Sequence, residues 1–225
     1  MLKKFSILIL IALILLVGAS CQKKEKPVPV SLQEIIGQDA FVRDQVDLDI
    51  KGQEKTLVLY VLDKEVKKDE DIWCGNKSGE KLFGRFYLAL IAENKIESKI
   101  ELLMDYFENG GEFRSKNIII PQDLNGDSEE LEFAFETYAS CNGVYLEVIG
   151  VREKELLRYN FYKGEEILDE LFVSAMTGPG LEYENGYLVQ EYYSNEYPGG
   201  TFKNYYSFSQ EKQGFDFVKS VEVLD

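Results

Sequence analysis

Glu130-Leu131-Glu132-Phe133-Ala134-Phe135-Glu136-Thr137-Tyr138 is the stretch that decides the fold class. Leu131, Phe133 and Phe135 fall on one side of an extended chain, and Glu130, Glu132 and Glu136 on the other. A period of two marks a half-buried strand, because successive side chains of extended backbone point to opposite faces. On either side, residues 56–62, 86–92 and 144–151 are near-continuous apolar runs, which suit strands covered on both faces. The C-terminal third reads as a meander. Residues 181–184 and 187–193 flank Asn185-Gly186, a strong hairpin signal. Pro198-Gly199-Gly200 then turns the chain into 201–208, and Gln213-Gly214 turns it into 215–223. Two stretches carry helical signs. Residues 31–36 start on Ser31 as a cap, with Glu34 three residues on. Ile96, Ile100, Leu103, Met104 and Phe107 have helical spacing, while Ile96, Ile100 and Leu102 equally fit one face of a strand. The expected fold is mainly β: antiparallel repeats or a meander, as a propeller-like fragment or a β-sandwich, with one or two short helices.

A rhythm of about 70 residues runs through the first two thirds. Asp47-Leu48-Asp49 precedes the run at 56–62, and Asp123-Leu124-Asn125 precedes the run at 131–135. Trp73-Cys74-Gly75-Asn76 leads into 86–91, and Ser140-Cys141-Asn142-Gly143 leads into 144–149. Acidic turn, strand, cysteine turn, strand occurs twice, so two related units, about 40–115 and 116–225, are expected within one domain of residues 31–225.

The N-terminus gives an address. Met1-Leu2-Lys3-Lys4 precedes a mostly apolar run over 5–17, followed by Gly18-Ala19-Ser20-Cys21. A basic start, an apolar centre of this length and small residues at its end form an export signal. The run is shorter than the roughly 20 residues needed to cross a bilayer. These residues resemble the lipobox of bacterial lipoproteins: Ala19 and Ser20 fill the two small positions, while Gly18 stands where an aliphatic residue is usual. The resemblance implies cleavage of residues 1–20 and a diacylglyceryl group on Cys21, which holds the protein to a membrane on its extracytoplasmic side. Two acyl chains suffice for stable anchoring. Gln22 is not aspartate, which in this family leaves the protein free to move on from an inner membrane. Residues 21–30, with Pro27 and Pro29, read as a short hydrated tether.

Loss of Lys3 and Lys4 with the signal leaves 23 basic against 40 acidic residues, a net charge of −17. Such a surface disfavours nucleic acid and anionic headgroups, which require Lys and Arg clusters, and attracts cations and basic partners. Apolar residues make up 45% of the chain, too many for a disordered acidic segment. With Cys21 consumed by lipid, Cys74 and Cys141 remain outside the reducing cytoplasm, either bridged or as two separate thiols.

The chain contains no histidine. That removes Ser-His-Asp and Cys-His hydrolases, histidine-bearing zinc sites and histidine pH switches. The one metal-shaped motif is Asp123-Leu124-Asn125-Gly126-Asp127, with oxygen side chains at alternate positions of a tight turn and Glu129 or Glu130 beyond. Calcium takes such hard oxygen ligands. The motif resembles the Asp-Asx-Asp boxes of FG-GAP and VCBS-type repeats, which implies a calcium site at Asp123, Asn125, Asp127 and Glu130. The same residues equally fit an Asx-type turn that bonds only nearby backbone. In the first unit the fifth position is Lys51, whose ammonium repels a cation.

Two functions remain. The leading reading is a non-catalytic cell-envelope lipoprotein that binds an extracytoplasmic protein or glycan, with calcium fixing one turn. The alternative is a lipoprotein hydrolase, such as a glycosidase, working with paired Asp and Glu carboxylates. The sequence cannot nominate such a pair among so many acids. Tyr183, Tyr187, Tyr192, Tyr193, Tyr197, Tyr205 and Tyr206 suit either sugar stacking or ordinary cross-strand packing.

Overall fold

The computed structural model describes residues 30–69, 79–104, 106–109, 118–139, 143–174, 181–195 and 199–223. The chain divides into two compact units, Met1–Val30 and Ser31–Asp225, and the architecture below is that of the second. Cys21, Cys74 and Cys141 lie outside the described residues. Among the described residues, no helix is long and apolar enough to cross a membrane.

The chain is mainly β, and the described residues include one short helix, α1, Leu32–Ile36. Ser31 caps it in the manner its sequence predicts: the Ser31 hydroxyl accepts from the Glu34 N–H, and the Glu34 carboxylate accepts from the Ser31 N–H. The first sheet takes β1 (Phe41–Ile50), β2 (Gln53–Asp69), β3 (Gly79–Ala92) and β4 (Lys95–Glu101) in order, with β5 (Tyr106–Asn109) also on β3. The second is built from β6 (Glu132–Ala139), β7 (Gly143–Arg152), β8 (Glu155–Lys163), β9 (Glu166–Leu168), β10 (Leu171–Ser174), β11 (Leu181–Glu184), β12 (Tyr187–Ser194), β13 (Gly200–Ser209) and β14 (Gly214–Val223). Its order is β10-β7-β8-β14-β13-β12-β11, with β6 on β7 and β9 on β8.

The C-terminal meander is the run β11-β12-β13-β14. It joins the rest through a pairing the sequence does not signal: β14 runs parallel to β8, with Gly214 opposite Asn160 and Phe215 opposite Phe161. Of the stretch with helical spacing, Ile96 and Ile100 lie in strand β4, which runs from Lys95 opposite Ala92 to Glu101 opposite Tyr87, and Phe107 lies in β5. Pairing with a buried neighbour overrides a short amphipathic pattern. Asp47-Leu48-Asp49 is not a turn either. It lies inside β1, and the turn that follows is Lys51-Gly52, both with left-handed φ.

Three layers of core follow from the alternation. Leu57, Leu59 and Val61 of β2 and Phe86, Leu88 and Leu90 of β3 meet Phe133 and Phe135 of β6 and Ile149 and Val151 of β7. The opposite faces of β2 and β3, with Val58, Tyr60, Tyr87 and Ala89, are covered by Ile36 of α1. The opposite face of β7, Leu146 and Val148, packs with Tyr159, Phe161, Leu188, Tyr206 and Phe215. Each fully buried large side chain contributes roughly 1.5–3 kcal/mol. The central layer, to which both sheets contribute, is what holds them together.

Polar clips reinforce that junction. Buried Lys55 of β2 bonds both the Glu97 carboxylate of β4 and the Glu153 carbonyl in the β7–β8 turn. Ser98 Oγ accepts from the Leu156 N–H at 3.0 Å. Glu147, fully buried in β7, accepts from the Leu103 N–H at 2.7 Å and from Arg158 Nε at 3.0 Å, and Arg158 Nη2 donates to the Glu101 carbonyl at 2.6 Å.

Where β2 bulges against β3, Gly84 has φ +153°. A Cβ there would come within 2.4 Å of Val61 Cγ2 and 2.6 Å of the Leu62 carbonyl oxygen. Gly84→Ala is therefore expected to destabilise by about 2 kcal/mol, read as a lowered urea midpoint with unchanged slope. An unaltered midpoint would show that the bulge relaxes freely.

Candidate functional site

The loop between Pro121 and Glu132 enters β6 through a single bridge, Gln122 with Glu132. Its acidic side chains fold back on their own backbone. Asp123 Oδ1 accepts from the Gly126 N–H at 2.7 Å, and Asp123 Oδ2 from the Ser128 N–H at 3.0 Å. Asn125 Oδ1 accepts from the Asp127 N–H at 2.8 Å, and Asp127 Oδ1 from the Glu129 N–H at 2.9 Å. These are Asx turns in series, the arrangement such a sequence favours. Gly126 sits at φ +79°, and a Cβ there would lie 1.9 Å from the Tyr183 hydroxyl, so β11 covers the loop closely.

Carboxylate oxygens of Asp123, Asp127 and Glu132 lie within 4.8 Å of one another. Glu130, the fourth residue expected from the sequence, is exposed and stands outside this group. Glu132 takes its place, although the alternation assigns it to the solvent side of the strand. It is fully buried. Its Oε2 accepts from the Leu124 N–H at 3.1 Å, and its Oε1 accepts from Asn125 Nδ2 at 2.6 Å and from Arg152 Nη2 at 3.2 Å. Burial pushes the Glu132 carboxyl up to about 7; the Leu124 N–H and the Arg152 charge pull it down, and Asp127 and Asp123 push it up further.

Arg152, at the end of β7, is the residue that sequence reading overlooks here. Its Nη1 donates to Asp127 Oδ2 at 3.0 Å while Nη2 holds Glu132. Its guanidinium carbon lies 5.8 Å from the Tyr159 ring centre and 5.9 Å from that of Phe208. Tyr159 is fully buried beneath, and its hydroxyl lies against Asn125 without a hydrogen bond of good geometry. Burial drives that phenol well above the usual tyrosine range, so it is neutral.

A second feature adjoins this loop. A groove of about 420 Å³ is lined by Asp47, Asp49, Glu129 and Glu130 together with Ile50, Pro121 and Leu131. The end of β1 and the Glu129-Glu130 segment before β6 thus both line it. Lys51 also lines the groove, but its ammonium is held by Glu153 at 2.8 Å. Asp47 is bonded by the Thr56 hydroxyl at 2.8 Å and Asp49 by the Gly52 N–H at 2.7 Å. Glu129 and Glu130 are exposed.

The C-terminal tyrosines of the described residues serve packing in the main. Tyr206 is buried, and that burial pushes its phenol up to about 12. Tyr187 meets Tyr205 edge to face, and Tyr192 stacks on Phe202. Tyr193 is exposed, and Tyr197 lies outside the described residues. No protein-family model, curated protein or solved structure matches the chain.

Proposed function

We propose that the protein is a non-catalytic, lipid-anchored lipoprotein of the cell envelope, displaying its β domain on the extracytoplasmic side to bind a basic partner. The anchor rests on the Lys3-Lys4 start, the apolar run and the small residues before Cys21. The binding role rests on one observation above all: two acidic segments about 80 positions apart line one groove together with apolar residues. Four carboxylates line it, and the one lysine is already engaged by Glu153. This favours an extended polypeptide carrying Lys or Arg beside apolar residues, drawn in by the negative field of the whole chain.

A labelled peptide alternating lysine and leucine is expected to bind saturably, more weakly at high salt. Glu129→Lys with Glu130→Lys is expected to reduce its affinity roughly tenfold or more. Equal binding of a peptide with glutamate in place of lysine, or no effect of the double variant, would refute the groove as the binding surface. Turnover of labelled glycans or peptides would instead favour the hydrolase reading.

A further inference from the structure

We propose that Arg152 is the resident cation of the Asp123–Glu132 loop: the loop holds its shape without calcium, and a divalent cation enters only when the guanidinium is removed. The inference is independent of what the groove binds.

A calcium ion would need oxygens from this set at about 2.4 Å on several sides. Asp127 Oδ2 and Glu132 Oε1 instead face Arg152 nitrogens at 3.0 and 3.2 Å. An ion bonded to both oxygens would occupy the same space as those nitrogens and meet a like charge there. Asn125 is turned the same way: its amide nitrogen donates to Glu132 and its oxygen is taken by the Asp127 N–H. Arg152 is no loosely placed surface group. Its side chain is 24% exposed and its guanidinium lies beside the Tyr159 and Phe208 rings. A planar cation with fixed donors suits two carboxylates approached edge-on.

What lies beneath the guanidinium shows what its removal would uncover. Three carboxylates remain within 4.8 Å of one another. Next to Asn125 lies the fully buried Tyr159 hydroxyl. Three acids this close are a donor set for a hard divalent cation, completed by water. Arg152 and a bound ion are thus alternatives for one place.

The experiment uses the full chain in detergent and two variants. Arg152→Met keeps the apolar stem beside Tyr159 and Phe208, and Arg152→Gln keeps polarity if the first does not fold. Melting is followed in EDTA and in 5 mM calcium. The unaltered chain is expected to melt at the same temperature in both. The variant is expected to melt lower in EDTA and to regain about 5 °C or more with calcium. Terbium, excited through the neighbouring tyrosines, reports binding directly: a signal is expected with a variant and none with the unaltered chain. A calcium or terbium response of the unaltered chain would overturn the proposal, because Arg152 would not be excluding the ion. Failure of both variants to bind terbium would overturn it equally, because the cluster beneath would not be a cation site.

Discussion

Glu147→Ala is expected to lower stability by about 3–5 kcal/mol, a fall in melting temperature on the order of 10 °C for a domain of this size. Glu147 is fully buried at the place where the two sheets meet. Its two oxygens satisfy the Leu103 N–H and Arg158 Nε, and Arg158 in turn holds the Glu101 carbonyl. Alanine would leave the Leu103 N–H without its acceptor and a guanidinium at 23% exposure without its counter-charge. Burial raises the Glu147 carboxyl, with Arg158 and the Leu103 N–H drawing it back. The opposed effects show a pair whose desolvation is costly, so its removal as a pair should cost far less than its rupture. The double replacement Glu147→Leu, Arg158→Leu is accordingly expected to be more stable than Glu147→Ala in urea unfolding. If the single alanine variant unfolds within 1 kcal/mol of the unaltered chain, by about the scatter of surface changes, this clip does not join the sheets.

Glu132 gives the second large effect, and it appears against pH. Its folded carboxyl titrates near 7, above an ordinary value of 4.5. Below about pH 4.5 both folded and unfolded chains hold the proton, and the contribution is complete. Between 4.5 and 7 the folded chain keeps a proton that the unfolded chain has released, so stability falls as pH rises. The loss is about 3 kcal/mol across that window and levels off above it. Glu132→Gln carries no titrating proton and lacks this fall. The stability difference between the unaltered chain and Glu132→Gln should therefore be most favourable to glutamate near pH 4.5 and about 3 kcal/mol less so above pH 8. The reverse trend would mean that Arg152, Asn125 and the Leu124 N–H hold the carboxylate charged despite its burial.

The strands were legible because burial on one or both faces writes itself into the spacing of apolar residues. Phe133 and Phe135 occupy the central layer that their alternation implies. The apolar run of β7 does face two cores, Ile149 and Val151 in one and Leu146 and Val148 in the other. Ser31 and Glu34 announced a capped helix by local chemistry alone. What local chemistry could not announce was long-range. Strand β4 carries helical spacing, yet six residue pairings with β3 hold it extended. The parallel contact of β14 with β8 joins residues more than 50 positions apart and leaves no periodic trace.

The same limit applies to the site. Asp123, Asn125 and Asp127 were visible as a turn because each bonds backbone two to five residues on. Glu132 was hidden by its own strand pattern, since an acid on the polar face of an alternating strand is ordinarily solvated. Only the loop folding over it, with Arg152 arriving from β7, makes that face an interior. A basic residue ending an apolar strand was the available hint. It points to nothing until the chain brings it next to Asp127.

The most direct test of the account concerns where the chain lives and what holds it there. Protein recovered from its native membranes and measured by intact mass spectrometry should begin at Cys21 and carry the added mass of a diacylglyceryl group on that sulfur. Native protein found in the cytosol, with Met1 retained and no acyl mass, would contradict the proposal that this acidic β domain works outside the cytoplasm.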